Sequence, residues 1–254
     1  ATVTASPVPA GPQGYFHHRK LDRAMALARE LRLPVVMYTE GGGGRPGDTD
    51  QIAGMDVTTF AMWGALASVV PRIAVNNGYC FAGNAALFGC ADITVATRQS
   101  WIGMAGPAMI EGGGMGLYPP TAIGPIEVQT TTGVIDVLAE DERDATRLAR
   151  QLLGYLQGPI DVWRCADQNL LWELMPADRR YTYDVRRIIT TLADTCPFIE
   201  TPPHYGKTVI TGLLRIDGTP FGLPCTDSRR PGGAVVTLAP AHCPPRPHRV
   251  YTLP

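Results

Sequence analysis

The sequence has almost no excess of charge of either sign. It contains 22 lysine and arginine residues against 23 aspartate and glutamate residues, among 254 residues in all. Nucleic acids and anionic membranes attract proteins through a net positive field, so this balance argues against both as general partners. A site that binds an anion must therefore be local.

Long apolar runs and cysteine motifs are also missing. No apolar stretch approaches the roughly 20 residues that a helix needs to cross a bilayer, and the start, ATVTASPVPAGPQG, lacks the basic and apolar regions of a signal peptide. The six cysteines form no Cys-x-x-Cys pair and have no regular histidine spacing, which argues against a disulfide framework and a zinc site. We therefore expect a cytoplasmic protein with free thiols and no metal in this domain.

The stretch from Arg72 to Gly116 carries the strongest structural signals. Its apolar run Ile73-Ala74-Val75 predicts a buried strand, and Phe81-Ala82-Gly83-Asn84 predicts a turn into a short helix. Backbone N–H groups at such a turn have no partner within the helix, and Gly83 lets a ligand carbonyl approach them closely. The turn is therefore either an oxyanion hole or a tight packing turn.

Four consecutive glycines, Gly41 to Gly44, follow a predicted strand at Val35 to Thr39. A flexible linker would also be rich in glycine, but this run lies between a buried strand and the next helix. Glycine lets backbone N–H groups face a phosphate or a thioester, and Arg45 adds a forked cation for phosphate oxygens. We therefore expect a ligand-binding loop, which is not a Walker loop because the Gly-Lys-Ser/Thr ending is absent.

Hydrophobic periodicity predicts the other elements. Further strands are expected at Asp92 to Ala96, Ser100 to Met104 and Ile135 to Leu138. Helices are expected at His17 to Leu31, Asp56 to Val69, Asp141 to Gln157, around Trp163 to Met175, and behind Asp184. Because strand-turn-helix units repeat, we expect the runs at Val35, Ile73 and Asp92 to share one sheet.

Three motifs occur in a fixed order along the chain. They are EGGGGRPGDTD at Glu40 to Asp50, GYCFAGNAALFGCADITVAT at Gly78 to Thr97, and IGMAGPAMIEGGGMG at Ile102 to Gly116. Together they resemble the carboxyltransferase subunits of biotin-dependent acyl-CoA carboxylases, above all the bacterial acetyl-CoA carboxylases that join this part to a long multidomain chain. The resemblance implies an α/β fold, a crotonase-like spiral of ββα units with flanking helices, with an incomplete second crotonase-like half.

The resemblance also implies the site. It places an oxyanion hole for a thioester enolate at the peptide N–H groups of Gly83 and Asn84, although the family more often has Gly-Gly there. It places the acyl-CoA beside Gly42, Gly43, Gly44 and Arg45, and beside Gly112, Gly113 and Gly114. A backbone donor survives the change from glycine to Asn84, so the departure leaves the predicted hole possible.

The reaction implied by the resemblance is the transfer of a carboxyl group from carboxybiotin to the α-carbon of an acyl-CoA, acetyl-CoA in the first instance, in fatty acid biosynthesis. The biotin is carried by a partner, so the expected partners are a biotin carboxyl carrier protein and a biotin carboxylase, with assembly as a homo-oligomer. Two alternatives stay open. One is a crotonase-type hydratase or hydrolase of CoA thioesters, which needs a carboxylate such as Glu111 over the thioester; the other is an inactive CoA-binding fragment.

The predicted domain organisation has five parts. Residues 1–14 are expected to form a disordered arm, 15–158 an N-terminal carboxyltransferase domain, 159–201 a helical connection, 202–222 the start of a C-terminal carboxyltransferase domain, and 223–254 an aberrant or disordered tail. The resemblance predicts two strands within Tyr205 to Leu223.

The tail is where the resemblance ends. It is rich in proline, which removes backbone donors and disfavours helix in the preceding residue. We expect it to be loose, the product of a frameshift or truncation, leaving the strands at Thr208 to Ile216 without partners. A metal site is the alternative, but the spacings fit no standard zinc site; its ligands would be Cys225, His242, Cys243 and His248.

Overall fold

The computed structural model describes residues 2–3, 13–44, 58–178, 180–195 and 198–230. The chain divides into two compact units, Ala1–Arg150 and Gln151–Pro254. The boundary that we predicted, after residue 158, lies a few residues later. The predicted boundaries at 201 and 222 do not coincide with this division.

The first unit is built on a parallel sheet of five strands in the order β1-β2-β3-β5-β7. These strands are β1 (Thr2–Val3), β2 (Val35–Tyr38), β3 (Arg72–Asn76), β5 (Ile93–Thr97) and β7 (Val137–Ala139). In register, Val36 pairs with Ile73, and Ala74 pairs with Thr94. The runs at Val35, Ile73 and Asp92 therefore share one sheet, as predicted.

Helices cover the sheet, because its strands are nearly all apolar and must be buried. Those of the first unit are α1 (Tyr15–Glu30), α2 (Thr58–Ala65), α3 (Gly83–Gly89), α4 (Pro107–Gly112) and α5 (Ile126–Thr132), with a 3-10 turn at Pro120–Ala122. Helix α6 (Glu142–Tyr155) begins in the first unit and ends past its boundary at Arg150. One apolar cluster packs Leu21 and Trp63 against Val35. A second packs Phe88 and Ile102 against strands β3 and β5.

A second, smaller pair of strands gives the first unit its spiral character. Strands β4 (Tyr79–Phe81) and β6 (Trp101–Gly103) run parallel to each other outside the main sheet. An isolated parallel bridge joins Gly41 to Cys80. The chain thus passes from the main sheet through β4 directly into α3, which is the ββα order that we predicted.

The second unit contains helices α7 (Leu170–Leu174) and α8 (Val185–Leu192) and an antiparallel sheet in the order β10-β9-β8. Its strands are β8 (Ile199–Glu200), β9 (Val209–Ile216) and β10 (Thr219–Thr226). Asp184 caps α8, because its side chain accepts a hydrogen bond from the N–H of Arg186. The helix expected around Trp163 is confined to α7, and Trp163 precedes it in irregular chain.

Two predictions about disorder are wrong where the structure describes the chain. In the segment expected to be an arm, Thr2 and Val3 pair in parallel with Val36 and Met37, and Gln13 is only 4% exposed. Backbone pairing to β2 positions Thr2 and Val3, and a parallel bridge to Gly44 positions Gln13.

The tail is the second correction. Strand β10 continues past residue 222 to Thr226, so β9 has a partner on each side and is not a bare edge. Asp227 is 1% exposed and pairs with Arg186 at 2.9 Å. Backbone pairing of residues 223–226 with β9 and this ion pair order the segment. The proline content of the tail does not reveal either of these contacts. Residues 231–254, with three of the four proposed metal ligands, lie outside the described residues.

Candidate functional site

Polar side chains collect where the parallel strands β2 and β3 end. Thr39 and Glu40 follow β2, and Asn76 and Asn77 close β3. The Asn77 N–H donates to Oε1 of Glu40 at 2.7 Å, and the Thr39 hydroxyl donates to the carbonyl of Val75. Ligands of open α/β sheets bind outside the carboxyl ends of the strands, so this edge is the place to look for a site.

The turn between β4 and α3 contains a residue, Ala82, with an unusual backbone conformation. Ala82 adopts φ 50° and ψ −121°, a conformation that non-glycine residues rarely adopt and that costs roughly 1–3 kcal/mol. Helix α3 begins at the next residue, Gly83. Among the described residues, no hydrogen bond is formed by the backbone N–H groups of Gly83 and Asn84. The predicted donors are therefore unpaired within this part of the chain.

Space at Gly83 is limited: a Cβ there would lie 2.9 Å from Oε1 of Gln13 and 3.1 Å from Cζ of Phe60, so these side chains would have to shift. These two side chains lie next to the turn but come from outside the motif at Gly78 to Thr97. The sequence reading missed both of them, since neither lies next to a glycine or carries a recognised signal.

Backbone hydrogen bonds connect the glycine loop to strand β4, which leads into this turn. The N–H of Gly41 donates to the carbonyl of Tyr79 at 2.7 Å, and the N–H of Phe81 donates to the carbonyl of Gly41 at 2.8 Å. The carbonyl of Gly43 accepts from the N–H of Gln13 at 2.6 Å. The loop is therefore a fixed continuation of the strand edge, unlike a flexible linker.

The side chain of Asn84 makes the closest connection between loop and turn. Its Oδ1 accepts the N–H of Gly43 at 3.1 Å, and its Nδ2 donates to the carbonyls of Thr39 and Glu40, both at 3.1 Å. Asn84 is 3% exposed. The structure thus brings Gly42, Gly43 and Gly44 together with Gly83 and Asn84, which the sequence placed far apart.

The loop donors differ in what they can offer a ligand. Gly43 is buried and its N–H is already used by Asn84, whereas Gly42 and Gly44 are exposed. No described residue accepts from the N–H of Gly42 or Gly44. The open donors of the loop are therefore those of Gly42 and Gly44, and Arg45 lies outside the described residues.

Gly112, Gly113 and Gly114 lie at the end of α4, in an exposed segment. Among the described residues, no hydrogen bond links them to the glycine loop. The start of α4 does approach the turn, since a Cβ at Gly106 would lie 3.5 Å from Phe81. The segment is also rich in apolar side chains that are more than half exposed, namely Met104, Met109, Met115, Leu117 and Tyr118.

The carboxylate beside the glycine loop is Glu40, whereas the sequence led us to consider Glu111. Burial raises the pKa of Glu40, against the opposing hydrogen bonds from its own N–H and that of Asn77. Glu111, the carboxylate we had weighed as a catalytic acid or base, lies exposed in α4. Glu40 is therefore the carboxylate beside the glycines that the sequence reading missed, and its position directly after β2 was the available signal.

Buried Cys80 does not supply a nucleophile. Burial raises the pKa of its thiol to about 12, so the thiol is protonated at neutral pH.

Across the described ranges, no group of three or more His, Cys, Asp or Glu residues is placed to hold a metal ion. None of the helices in this part of the chain is long and apolar enough to cross a bilayer. What the site offers is a set of fixed peptide donors.

Comparison with known proteins assigns the family. A model of the carboxyl transferase domain matches residues 5–239, which is most of the chain. The chain belongs to the carboxyl transferase domain family. The fold agrees, because the structural neighbours are carboxyltransferases with the crotonase-like fold.

Three relatives indicate the range of the family. A solved single-chain, multi-domain long-chain acyl-CoA carboxylase is 49% identical, with a TM-score of 0.85, over 89% of this chain and 22% of that one. A probable biotin-dependent acyl-CoA carboxylase beta2 subunit of Mycobacterium tuberculosis is 30% identical over 85% of this chain and 43% of the relative. Transcarboxylase 12S, at 22% identity and a TM-score of 0.76, shares the fold. This carboxyl transferase domain spans less than half the length of the first two.

Proposed function

We propose that this chain is the part of a biotin-dependent acyl-CoA carboxylase that binds the acyl-CoA and stabilises its enolate. The observation that carries the proposal is the joining of the glycine loop to the turn at Gly83 by Asn84, with peptide N–H groups left open on both segments. Removal of an α-proton from a thioester puts negative charge on its oxygen, and fixed N–H donors stabilise that charge.

Each segment that the motifs single out has a role in this proposal. The N–H groups of Gly83 and Asn84 receive the thioester oxygen, and those of Gly42 and Gly44 receive polar groups of the CoA, with Arg45 on its phosphates and Gly112, Gly113 and Gly114 beside it. When bound on its carrier, carboxybiotin would supply both the carbon dioxide to which the enolate α-carbon bonds and the ureido nitrogen that takes up the α-proton. No side chain of this chain has to act as the base. In other oxyanion holes, the loss of one donor costs roughly 10²–10³ in rate.

For the substrate, we propose acetyl-CoA, with a long-chain acyl-CoA as the second candidate. Acetyl-CoA follows from the motif resemblance and would place the protein in fatty acid biosynthesis. The long-chain candidate is supported by the 49% identical carboxylase, whose description names long-chain acyl-CoA. A series of acyl-CoA chain lengths decides between them.

For partners, we propose a biotin carboxyl carrier protein, a biotin carboxylase and further copies of this chain. The exposed apolar segment that includes Met109 and Leu117 supports assembly, since apolar surface of this kind marks protein contacts. We also propose the cytoplasm as the compartment. The four described cysteines are free thiols, as expected under reducing conditions.

The test separates the proposed reaction from its alternatives. The chain is incubated with acetyl-CoA and a carboxylated biotin carrier, and malonyl-CoA and free CoA are measured by mass spectrometry. Malonyl-CoA supports carboxyl transfer, and release of free CoA without malonyl-CoA would support a hydrolase and contradict the proposal. The same assay is run with long-chain acyl-CoA. Because the chain spans only 43% of the Mycobacterium tuberculosis beta2 subunit, binding of both thioesters is also measured by calorimetry. Binding without any turnover would support the CoA-binding alternative.

A further inference from the structure

The side chain of Asn84 lies at the centre of the contact between the glycine loop and the helix turn. Its Oδ1 accepts a hydrogen bond from the N–H of Gly43, and its Nδ2 donates to the carbonyls of Thr39 and Glu40. A carboxamide oxygen can only accept, and its nitrogen can only donate. The three partners therefore admit a single orientation of the side chain, with every hydrogen-bonding group satisfied by a group of the loop or its base.

We propose that Asn84 is a positioning residue for acyl-CoA binding, which sets the glycine loop relative to the oxyanion donors through its side chain. This inference rests on the proposed function, and it assigns to the side chain a role separate from that of its backbone N–H. The carboxamide binds the N–H of Gly43, and the neighbouring residues Gly42 and Gly44 are exposed. Its hydrogen bonds to the carbonyls of Thr39 and Glu40 hold the residues that precede the loop.

The hydrogen bonds of the Asn84 side chain are confined to the loop and the residues that precede it. Its three partners, Thr39, Glu40 and Gly43, lie in one short segment, 41 to 45 residues from Asn84 in the sequence. Here all three bonds go to the ligand-facing loop and its base, and none goes back to α3. Loss of the carboxamide would leave the buried Gly43 N–H and two carbonyls without their partner, and unsatisfied groups of this kind are costly.

The test uses Asn84→Ala, with Thr94→Val as the matched control. Thr94 is also buried and lies on strand β5, which β3 separates from β2 and the loop, and its hydroxyl donates to the carbonyl of Val134 and to Asp136. Both variants lose side-chain hydrogen bonds of a buried residue in the first unit. Only N84A removes bonds to the glycine loop, and it keeps the backbone N–H of residue 84.

Two quantities are measured on the full chain: hydrogen exchange of the Gly43 amide by NMR, and calorimetric affinity for acetyl-CoA and a long-chain acyl-CoA. We expect N84A to speed exchange of Gly43 by roughly 10-fold or more and to weaken acyl-CoA binding by a similar factor, whereas T94V leaves both at wild-type values. A third variant, Asn84→Asp, keeps an acceptor for Gly43 but loses the donors. It should therefore protect Gly43 better than N84A while still binding more weakly than wild type.

The outcomes distinguish this inference from the proposed function. Unchanged exchange of Gly43 in N84A overturns the inference and leaves the proposed function standing. Faster exchange with unchanged affinity, or equal losses of affinity in N84A and T94V, also overturns it. If the folded wild-type chain binds no acyl-CoA, the proposed function fails. The positioning role for acyl-CoA then fails with it, even where the exchange result shows that Asn84 holds the loop.

Discussion

The Cβ that an alanine would place at Gly43 lies 2.6 Å from the Cβ of Ala82, closer than such atoms approach in proteins. Gly43 also has φ +90°, a conformation that side chains rarely adopt. Ala82 itself is strained, with φ 50°. Two unusual backbone conformations thus face each other at the point where the loop meets the turn, and the absence of a side chain at Gly43 makes the contact possible.

We predict that Gly43→Ala destabilises the first unit by roughly 1–3 kcal/mol and weakens acyl-CoA binding. The control is Gly44→Ala in the same loop, where an added Cβ meets nothing within 4 Å and no unusual φ is required. Urea denaturation should show a loss of stability for G43A and none for G44A. Equal stabilities of the two variants would show that the Gly43–Ala82 contact does not constrain the loop.

Glu40 gives a prediction with a defined pH dependence. Burial raises its folded-state pKa, so its contribution to stability is present below the unfolded pKa, near 4, and is lost as the pH rises through the folded value. Glu40→Gln keeps an oxygen for the Asn77 N–H and removes the buried charge. The variant should be more stable than wild type at pH 7, and the difference should shrink toward pH 4.

The control for this prediction is Glu111→Gln, since Glu111 is exposed. Denaturation midpoints of the three proteins are compared at pH 4, 5.5 and 7. A gain for E40Q that does not depend on pH, or an equal gain for E111Q, would contradict the assignment of the effect to the buried carboxylate.

Local patterns predicted much of the first unit. Apolar runs gave the strands at Val35, Ile73 and Asp92, because a parallel sheet buries both faces and so leaves continuous apolar segments. The turn at Gly83 was recognisable because small residues punctuate the chain there. These features depend on neighbouring residues alone, and sequence reading is suited to them.

Features that depend on distant contacts were not predictable in this way. The hydrogen bonds of Asn84 reach residues 41 to 45 positions away, and Gln13 and Phe60 limit the space at Gly83 from separate segments. The order of residues 223–230 was missed for a similar reason. Proline suggested a loose tail, but pairing to β9 and the ion pair of Asp227 outweigh it.

The fold of residues 223–230 leads to a truncation experiment. A chain that ends at Arg230 should keep the second unit intact, whereas one that ends at Gly222 loses half of β10, the packing of Leu223 and Cys225, and the Asp227 partner of Arg186. We expect the shorter chain to be less stable by roughly 2 kcal/mol or more. Equal urea midpoints for the two truncations would show that residues 223–230 add nothing to the fold.

Asp227 predicts a loss of stability in acid. Burial opposes its ionisation, but the N–H of Arg229 and the guanidinium of Arg186 outweigh burial and hold its pKa below the usual value. Stability from this group is therefore present above its unfolded pKa, near 4, and is lost as the pH falls through the lower folded value.

The test compares Asp227→Asn with Asp161→Asn, in which the replaced carboxylate is exposed. D227N should be less stable than wild type at pH 7, and the difference should shrink as the pH falls below the unfolded pKa, near 4, while D161N follows wild type throughout. A D227N deficit that persists unchanged at pH 3 would mean that the charge of Asp227 is not what stabilises the second unit.

The most direct test of the central claim is calorimetric titration of the folded chain with acetyl-CoA and with a long-chain acyl-CoA. We predict saturable binding of at least one of them, weakened roughly 10-fold or more by N84A and unchanged by T94V. Circular dichroism establishes that each protein is folded before titration. The absence of saturable binding of either thioester to folded wild-type protein would contradict the claim that Gly42 to Gly44 and the turn at Gly83 form an acyl-CoA site.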